Sequence, residues 1–267
     1  MIKEQLKIFL TAVMFYTRIP CPSYVDHSEE YLNKSTRHFP LIGIIVGFIS
    51  FIVFWTSNLI FNIEISIVFS IAAGILITGA FHEDGLADTF DGFGGGWTKE
   101  KILEIMKDSR VGAYGAISLI VLLLLKIFTL SALIYQIQLL FIDNNWIILL
   151  IFITYHSISR LTAINVVFIS SYSRADEIGK SKPVAKNNTY AEIFIAYFWG
   201  LLPFIGLLYF IPLYAIVIVI LGFLFYFSSR YFQKYIGGYT GDCLGAVEQL
   251  SEIISLLVLL GIVQNFL

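Results

Sequence analysis

The sequence predicts an all-α fold: a polytopic membrane bundle of about seven transmembrane helices, preceded by an N-terminal interfacial helix. Three observations carry that expectation. The 267 residues are 58% hydrophobic, 16% aromatic and only 13% charged, about half the charge of an average soluble domain. Apolar stretches of about 20 residues recur from end to end, the length that crosses the roughly 30 Å hydrocarbon core of a bilayer. Lysine and arginine are confined to alternate connectors, the asymmetry that orients helices in a membrane.

The first confident span is the uncharged run 41–60. Further spans are expected at 65–81, 112–133, 146–169, 193–209, 213–227 and 244–262. The apolar stretch 192–227 is too long for one crossing, and Pro212 offers a natural break within it. Segment 6–17, LKIFLTAVMFYT, is only about 12 residues long, so it is expected to lie in the interface or re-enter rather than cross.

Lys3, Lys7, Arg18, Lys34 and Arg37 precede the first span; Lys99, Lys101, Lys107 and Arg110 separate the second from the third. Arg174, Lys180, Lys182 and Lys186 follow the fourth, Arg230 and Lys234 follow the sixth, and the other connectors hold no Lys or Arg. The N-terminus is therefore expected in the cytoplasm and, with an odd count of spans, the C-terminus outside. No soluble domain of ordinary size remains, so 1–267 reads as one membrane domain without internal repeats. A net charge of −2 gives no basic face for nucleic acid. Cys21 and Cys243 form no CxxC pair and fall near expected cytoplasmic ends, where free thiols are the norm. No secretory cleavage pattern marks the N-terminus, so no removal is expected.

The densest carboxylates stand in residues 79–97, GAFHEDGLADTFDGFGGGW, at the cytoplasmic end of the second span. On a helix Asp84, Asp88 and Asp91 fall within about 60° of one another, whereas Glu83 points roughly 100° away. Oxygen-only convergence suits Mg²⁺, Mn²⁺ or Ca²⁺ rather than zinc, and Mg²⁺ commonly bridges a few carboxylates to substrate phosphates. Like charges held together need such a cation. Gly92, Gly94, Gly95 and Gly96 follow, and as a turn they would let backbone amides approach phosphate oxygens. Before the third span Lys107, Asp108 and Arg110, with Gly112 and Gly115 behind them, repeat the mix. Arg110 suits a bidentate phosphate contact, and Asp108 a metal shell.

Charged residues at membrane depth normally face protein or a watery cavity, so Arg160, on one face with His156 and Ser159, is a candidate. Lys126 has no polar companion at helical spacing on its own span and is expected to play no part in the site. In the last span Asp242, Glu248, Gln249 and Glu252 form a stripe about 120° wide that needs partners, either a metal or a cation such as Arg160.

Five ordered blocks resemble a known family: FYTRIP at 15–20, GAFHEDGLADTFDGFGGG at 79–96, MKDSRVGAYGA at 106–116, SRLTAI at 159–164 and GGYTGDCLGA at 237–246. The chain is similar over most of its length to the adenosylcobinamide-GDP ribazoletransferases, also called cobalamin 5'-phosphate synthases. Position 83 is Glu where an apolar residue is usual there, which leaves the aspartate spacing intact. The resemblance implies a Mg²⁺-dependent enzyme of the inner membrane with its site facing the cytoplasm. It would join adenosylcobinamide-GDP to α-ribazole or its 5'-phosphate and release GMP. The chemistry fits the residues already singled out. Asp84 and Asp88 are expected to hold metal, and Asp91 to act as ligand or base. Asp108, Asp242 and Glu248 are further metal candidates. Arg110 and Arg160 would stabilise charge, and Lys107 with Gly94, Gly95 and Gly96 would hold phosphate. The runner-up is a CDP-alcohol-phosphotransferase-like enzyme, whose DxxDGxxAR pattern is not reproduced. A secondary transporter is a reading of another class, against which stands the placing of the acids at the membrane edge instead of the midplane.

Overall fold

A computed structural model describes residues 2–25, 28–141, 144–173 and 188–267. Helices succeed one another as α1 (Ile2–Tyr16), α2 (Glu29–Ser35), α3 (Phe39–Ser57), α4 (Ile63–Thr78), α5 (Phe81–Gly95) and α6 (Lys99–Ile105). Then come α7 (Ala113–Leu140), α8 (Asn144–Ile169), α9 (Tyr190–Phe210), α10 (Ile216–Ile236) and α11 (Gly241–Phe266). Among the described residues six stretches are long and apolar enough to cross a bilayer, and the bent pair α4 and α5, taken as one span, raises the count to seven. This is a polytopic helical bundle, and each expected span has a helix. The expected break at Pro212 is a short 3₁₀ turn, Pro212–Ala215, joining α9 to α10. With 15 residues, α1 reaches only about 22 Å and is too short to cross.

Side-chain caps fix several starts. Asn62 accepts the Ile65 N–H, Thr240 accepts the Cys243 N–H, and Thr189 with Glu192 forms a reciprocal capping box ahead of α9. Such caps satisfy amides that a helix leaves unpaired at its first turn.

Helix α8 is the hub, with 83% of its apolar window buried, against 28% for α9 and 22% for α10. The outer pair instead exposes Phe194, Ile205, Phe223 and Phe227, as lipid-facing surface does. Against α8 lies α3, whose Gly43 and Gly47 are one turn apart. A Cβ on Gly47 would stand 2.5 Å from the Phe152 carbonyl oxygen. This small-xxx-small face lets the two backbones touch, which packing in lipid rewards because no hydrophobic effect operates there.

The acidic segment departs from the expected extension of the second span. At Gly79 and Ala80 the backbone is left-handed, φ 69° and 58°, and α5 leaves α4 at 87°. A non-glycine residue in that region costs roughly 1–2 kcal/mol, so surrounding contacts must hold the corner. The Arg18 N–H donates to the Ile77 carbonyl at 2.6 Å, and the Arg18 side chain lies over the bare Gly79.

Contacts tie together the described elements that flank the basic connectors. Phe93 of α5 packs on Tyr231 and Phe232 of α10, the Thr36 hydroxyl meets Asn188 at 3.4 Å, and the end of α8 pairs with the loop before α11 through Tyr172 and Tyr239. Arg174, Lys180, Lys182 and Lys186 lie outside the described residues.

Candidate active site

Helices α5 and α11 cross at bare backbone. A Cβ on Gly85 would meet the Asp242 carbonyl oxygen at 2.9 Å and the Gly245 Cα at 3.3 Å, and one on Gly245 would meet the His82 carbonyl oxygen at 2.9 Å. The two glycines bring the helices together beside three acids. Asp84 is exposed, and Asp88 and Asp242 are half-buried. Asp84 and Asp88 flank Gly85 on α5, while Asp242 sits in the first turn of α11. There the unpaired amides of a helix N-terminus add positive potential. These oxygen donors fit a hard divalent cation of the Mg²⁺ type, which takes one or two carboxylates and leaves its other positions to water and phosphate.

Asp91 is placed differently from its two neighbours. It is 8% exposed, and its carboxylate accepts the Gly112 N–H at 2.7 Å and the Gly115 N–H at 2.8 Å. Both oxygens thus cap the start of α7, a contact that the helical spacing did not indicate. Gly112 and Gly115 are bare because a Cβ on either would collide with that carboxylate.

The glycines after Asp91 do not form a turn. Helix α5 runs on through Gly95, and the Gly96 N–H donates to Gly92 at 2.9 Å, so helix bonding takes up the end of the segment expected to cradle phosphate. Gly94 admits the Tyr114 ring, and Gly96 admits Ile102. Their lack of side chains serves packing of α6 and α7 on α5.

Arg110 and Asp108 pair with each other at 2.6 Å on the surface. The guanidinium holds the Asp108 carboxyl at about 2, below its ordinary 3.8. Lys107 is exposed beside them. This loop leads directly into α7, whose start is tied to α5 by Asp91, so its charges are held near the acidic helix.

A second group of charges lies deep in the bundle. Arg160 is 1% exposed and pairs with Glu248 at 2.8 Å and Glu252 at 3.3 Å. His156 Nδ1 meets Glu252 at 2.6 Å, and Lys126 Nζ reaches Glu252 and the Gln249 oxygen, each at 2.6 Å. Arg160 and Glu248, expected to stabilise substrate charge and to bind metal, are thus partners of one another. His156, Glu248 and Glu252 are the described group of three whose ligand atoms lie within 4.8 Å of one another, yet Lys126 and Arg160 already neutralise their carboxylates. That leaves a metal little electrostatic reason to enter, and the pairing offsets burial of charge. Sequence reasoning missed Lys126 because its partners stand on α11, more than a hundred residues away. The signal was its isolation, since a lone cation at membrane depth requires a partner on another helix.

The fold and these charges define a class, a polytopic helical membrane protein with carboxylates beside the crossing of α5 and α11 and a paired ionic core in the bundle. Within that class the chain belongs to the cobalamin-5-phosphate synthase family, which it matches over residues 8–260. It is a membrane-embedded transferase of cobalamin biosynthesis. Similar proteins include the adenosylcobinamide-GDP ribazoletransferase of Shewanella frigidimarina (strain NCIMB 400), 42% identical over 97% of this chain and 96% of the relative. The protein of that name from Shewanella baltica (strain OS185) is 41% identical over 99% and 97%. No solved structure matches.

Proposed function

We propose that the enzyme transfers the adenosylcobinamide-phosphate group from adenosylcobinamide-GDP to α-ribazole or its 5'-phosphate in a Mg²⁺-dependent reaction at the cytoplasmic face of the inner membrane. The observation that carries this reading is the contact of Gly85 on α5 with the Asp242 backbone on α11, which places exposed Asp84 and half-buried Asp88 on the element that crosses the first turn of α11. The names of the relatives supply the substrates.

Asp84, Asp88 and Asp242 would hold the cation, which when bound supplies neutralisation of diphosphate oxygens. Arg110 and Lys107 bind the same phosphates, Arg110 exchanging its surface contact with Asp108 for a bidentate one with substrate. The acceptor hydroxyl oxygen forms a bond to the phosphorus that bears the cobinamide arm. The bond from that phosphorus to the GMP oxygen breaks, and the hydroxyl proton passes to a carboxylate of the α5 face. Positioning and charge stabilisation are the main demands of such a transfer.

The test is GMP release by the purified protein in detergent, given both substrates and Mg²⁺. Chelation should stop turnover, and added Mg²⁺ should restore it. Full activity after exhaustive chelation would remove the metal, and no GMP with both substrates and Mg²⁺ present would remove the reaction.

A further inference from the structure

We propose that Gln249 is a positioning residue whose buried amide sets the register of α5 on α11, and through it the spacing of Asp84 and Asp88 from Asp242. The inference rests on the reading of α5 and α11 as the metal-binding and diphosphate-binding elements.

Gln249 is 2% exposed. Its oxygen accepts from Lys126 Nζ at 2.6 Å, and its Nε2 donates to Glu83 Oε1 at 3.2 Å and to Glu248 Oε2 at 2.8 Å. One side chain thereby joins α5, α7 and α11. The contact between Gly85 and Gly245 fixes how closely α5 and α11 approach, but two bare backbones have no side chains to interlock. Beside them Leu86 packs on Ala246 and Ile253, an apolar contact without the direction that a hydrogen bond imposes. The bond from Gln249 to Glu83 resists sliding along the helix axis, because Glu83 stands beside Asp84 and two residues from the glycine contact. A slip of one residue moves a helix about 1.5 Å, and a misplacement of about 1 Å can cost a reaction about 100-fold.

The amide is well suited to this place. Glu83, Glu248 and Glu252 share the region with two cations, Lys126 and Arg160. A neutral group that accepts from Lys126 while donating to two carboxylates ties them together without adding charge. Gln249→Glu keeps the shape and turns the donor into an acceptor facing Glu83 and Glu248. The double change Glu83→Gln with Gln249→Glu moves one carboxylate across the contact, returns an N–H between the helices and conserves the number of charges.

Two readouts test the assignment. The first is the Mg²⁺ concentration for half-maximal GMP release, expected to rise on the order of 10-fold in Gln249→Glu and to return to within about 3-fold of the original in the double variant. A general loss of folded protein lowers the rate without moving this midpoint. The second needs no catalysis: spin labels at Phe90→Cys on α5 and Gly241→Cys on α11, with Cys21 and Cys243 replaced. Their separation should change by about 1.5 Å or more, one residue step, in Gln249→Glu, and revert in the double variant. An unchanged label distance in Gln249→Glu, or a double variant no better than the single one, overturns the proposal. If Gln249→Glu fails to fold, Gln249→Met, which removes the bond to Glu83 without adding charge, takes its place, and an unchanged label distance overturns the proposal equally. A wild-type protein that releases no GMP counts against the proposed reaction and leaves the distance measurement to decide the role of Gln249.

Discussion

Asp84, Asp88 and Asp91 share residue type and helical spacing but face different surroundings, and substitution should separate their roles. Asp84→Asn or Asp88→Asn removes charge at an accessible carboxylate, and each is expected to lower GMP release by more than about 100-fold, beyond what loss of an outer partner of a metal ligand costs. Folding should be unaffected. Asp91→Asn instead loses one of two charge-assisted bonds to α7, and about 1–3 kcal/mol of stability with it, which thermal unfolding in detergent would register. Near-normal Mg²⁺-dependent rates in the Asp84 and Asp88 variants would sink the metal assignment. Equal melting temperatures for Asp91→Asn and the parent would sink the cap. The spacing of the three acids was legible in the sequence. Which of them meets amides was not, because the amides of Gly112 and Gly115 belong to another helix, and contacts of that range leave no periodic trace. Arg160 was legible as a buried charge and as one candidate partner for the acids of the last span, since insertion into lipid demands a partner; that it pairs with Glu248 and Glu252 decides for that alternative.

At the scale of elements, hydrophobic run length identified every span, because the bilayer sets its length, but α7 and α10 run on to Leu140 and Ile236, past the expected ends at 133 and 227. The 87° corner between α4 and α5 escaped that reading, since an apolar run that ends in acids looks alike whether the chain goes straight or turns. Gly79 was visible, but its left-handed conformation depends on Arg18 packing from a distant segment. The crossing of α3 on α8 yields a stability prediction. Gly47→Ala forces a Cβ against the Phe152 carbonyl and should cost about 1–3 kcal/mol through overpacking. Gly222→Ala on α10, which meets nothing within 4 Å, should melt no lower than the parent and gains helix propensity. Identical melting of the two variants would mean that the close crossing contributes nothing.

For the whole molecule, the proposed reaction takes a nucleotide substrate from the cytoplasm, so it predicts that the acidic crossing and the Lys- and Arg-bearing connectors face inward. Single cysteines at Gly95 and Lys234, in a background lacking Cys21 and Cys243, should resist an impermeant thiol reagent applied to intact cells. One at Asn144, the first residue of α8 after a connector without Lys or Arg, should react. Labelling at Gly95 from outside would reverse the bundle and detach the site from its substrates. The ionic core has a further consequence, for the order of synthesis on the ribosome. Lys126 and Arg160 leave the ribosome long before Glu248 and Glu252, so a nascent chain that has not yet made α11 holds two cations in the membrane with Glu83 as the one carboxylate of that core. Completion of the last helix is then a checkpoint of biogenesis, separating finished chains from fragments by their net charge within lipid. A chain ended at residue 240 should insert and then be cleared by membrane proteases faster than the full chain in a pulse-chase, and clearance should slow when Lys126→Met and Arg160→Met remove the orphaned charges. Equal lifetimes for the charged and uncharged fragments would show that the quality-control machinery reads something else.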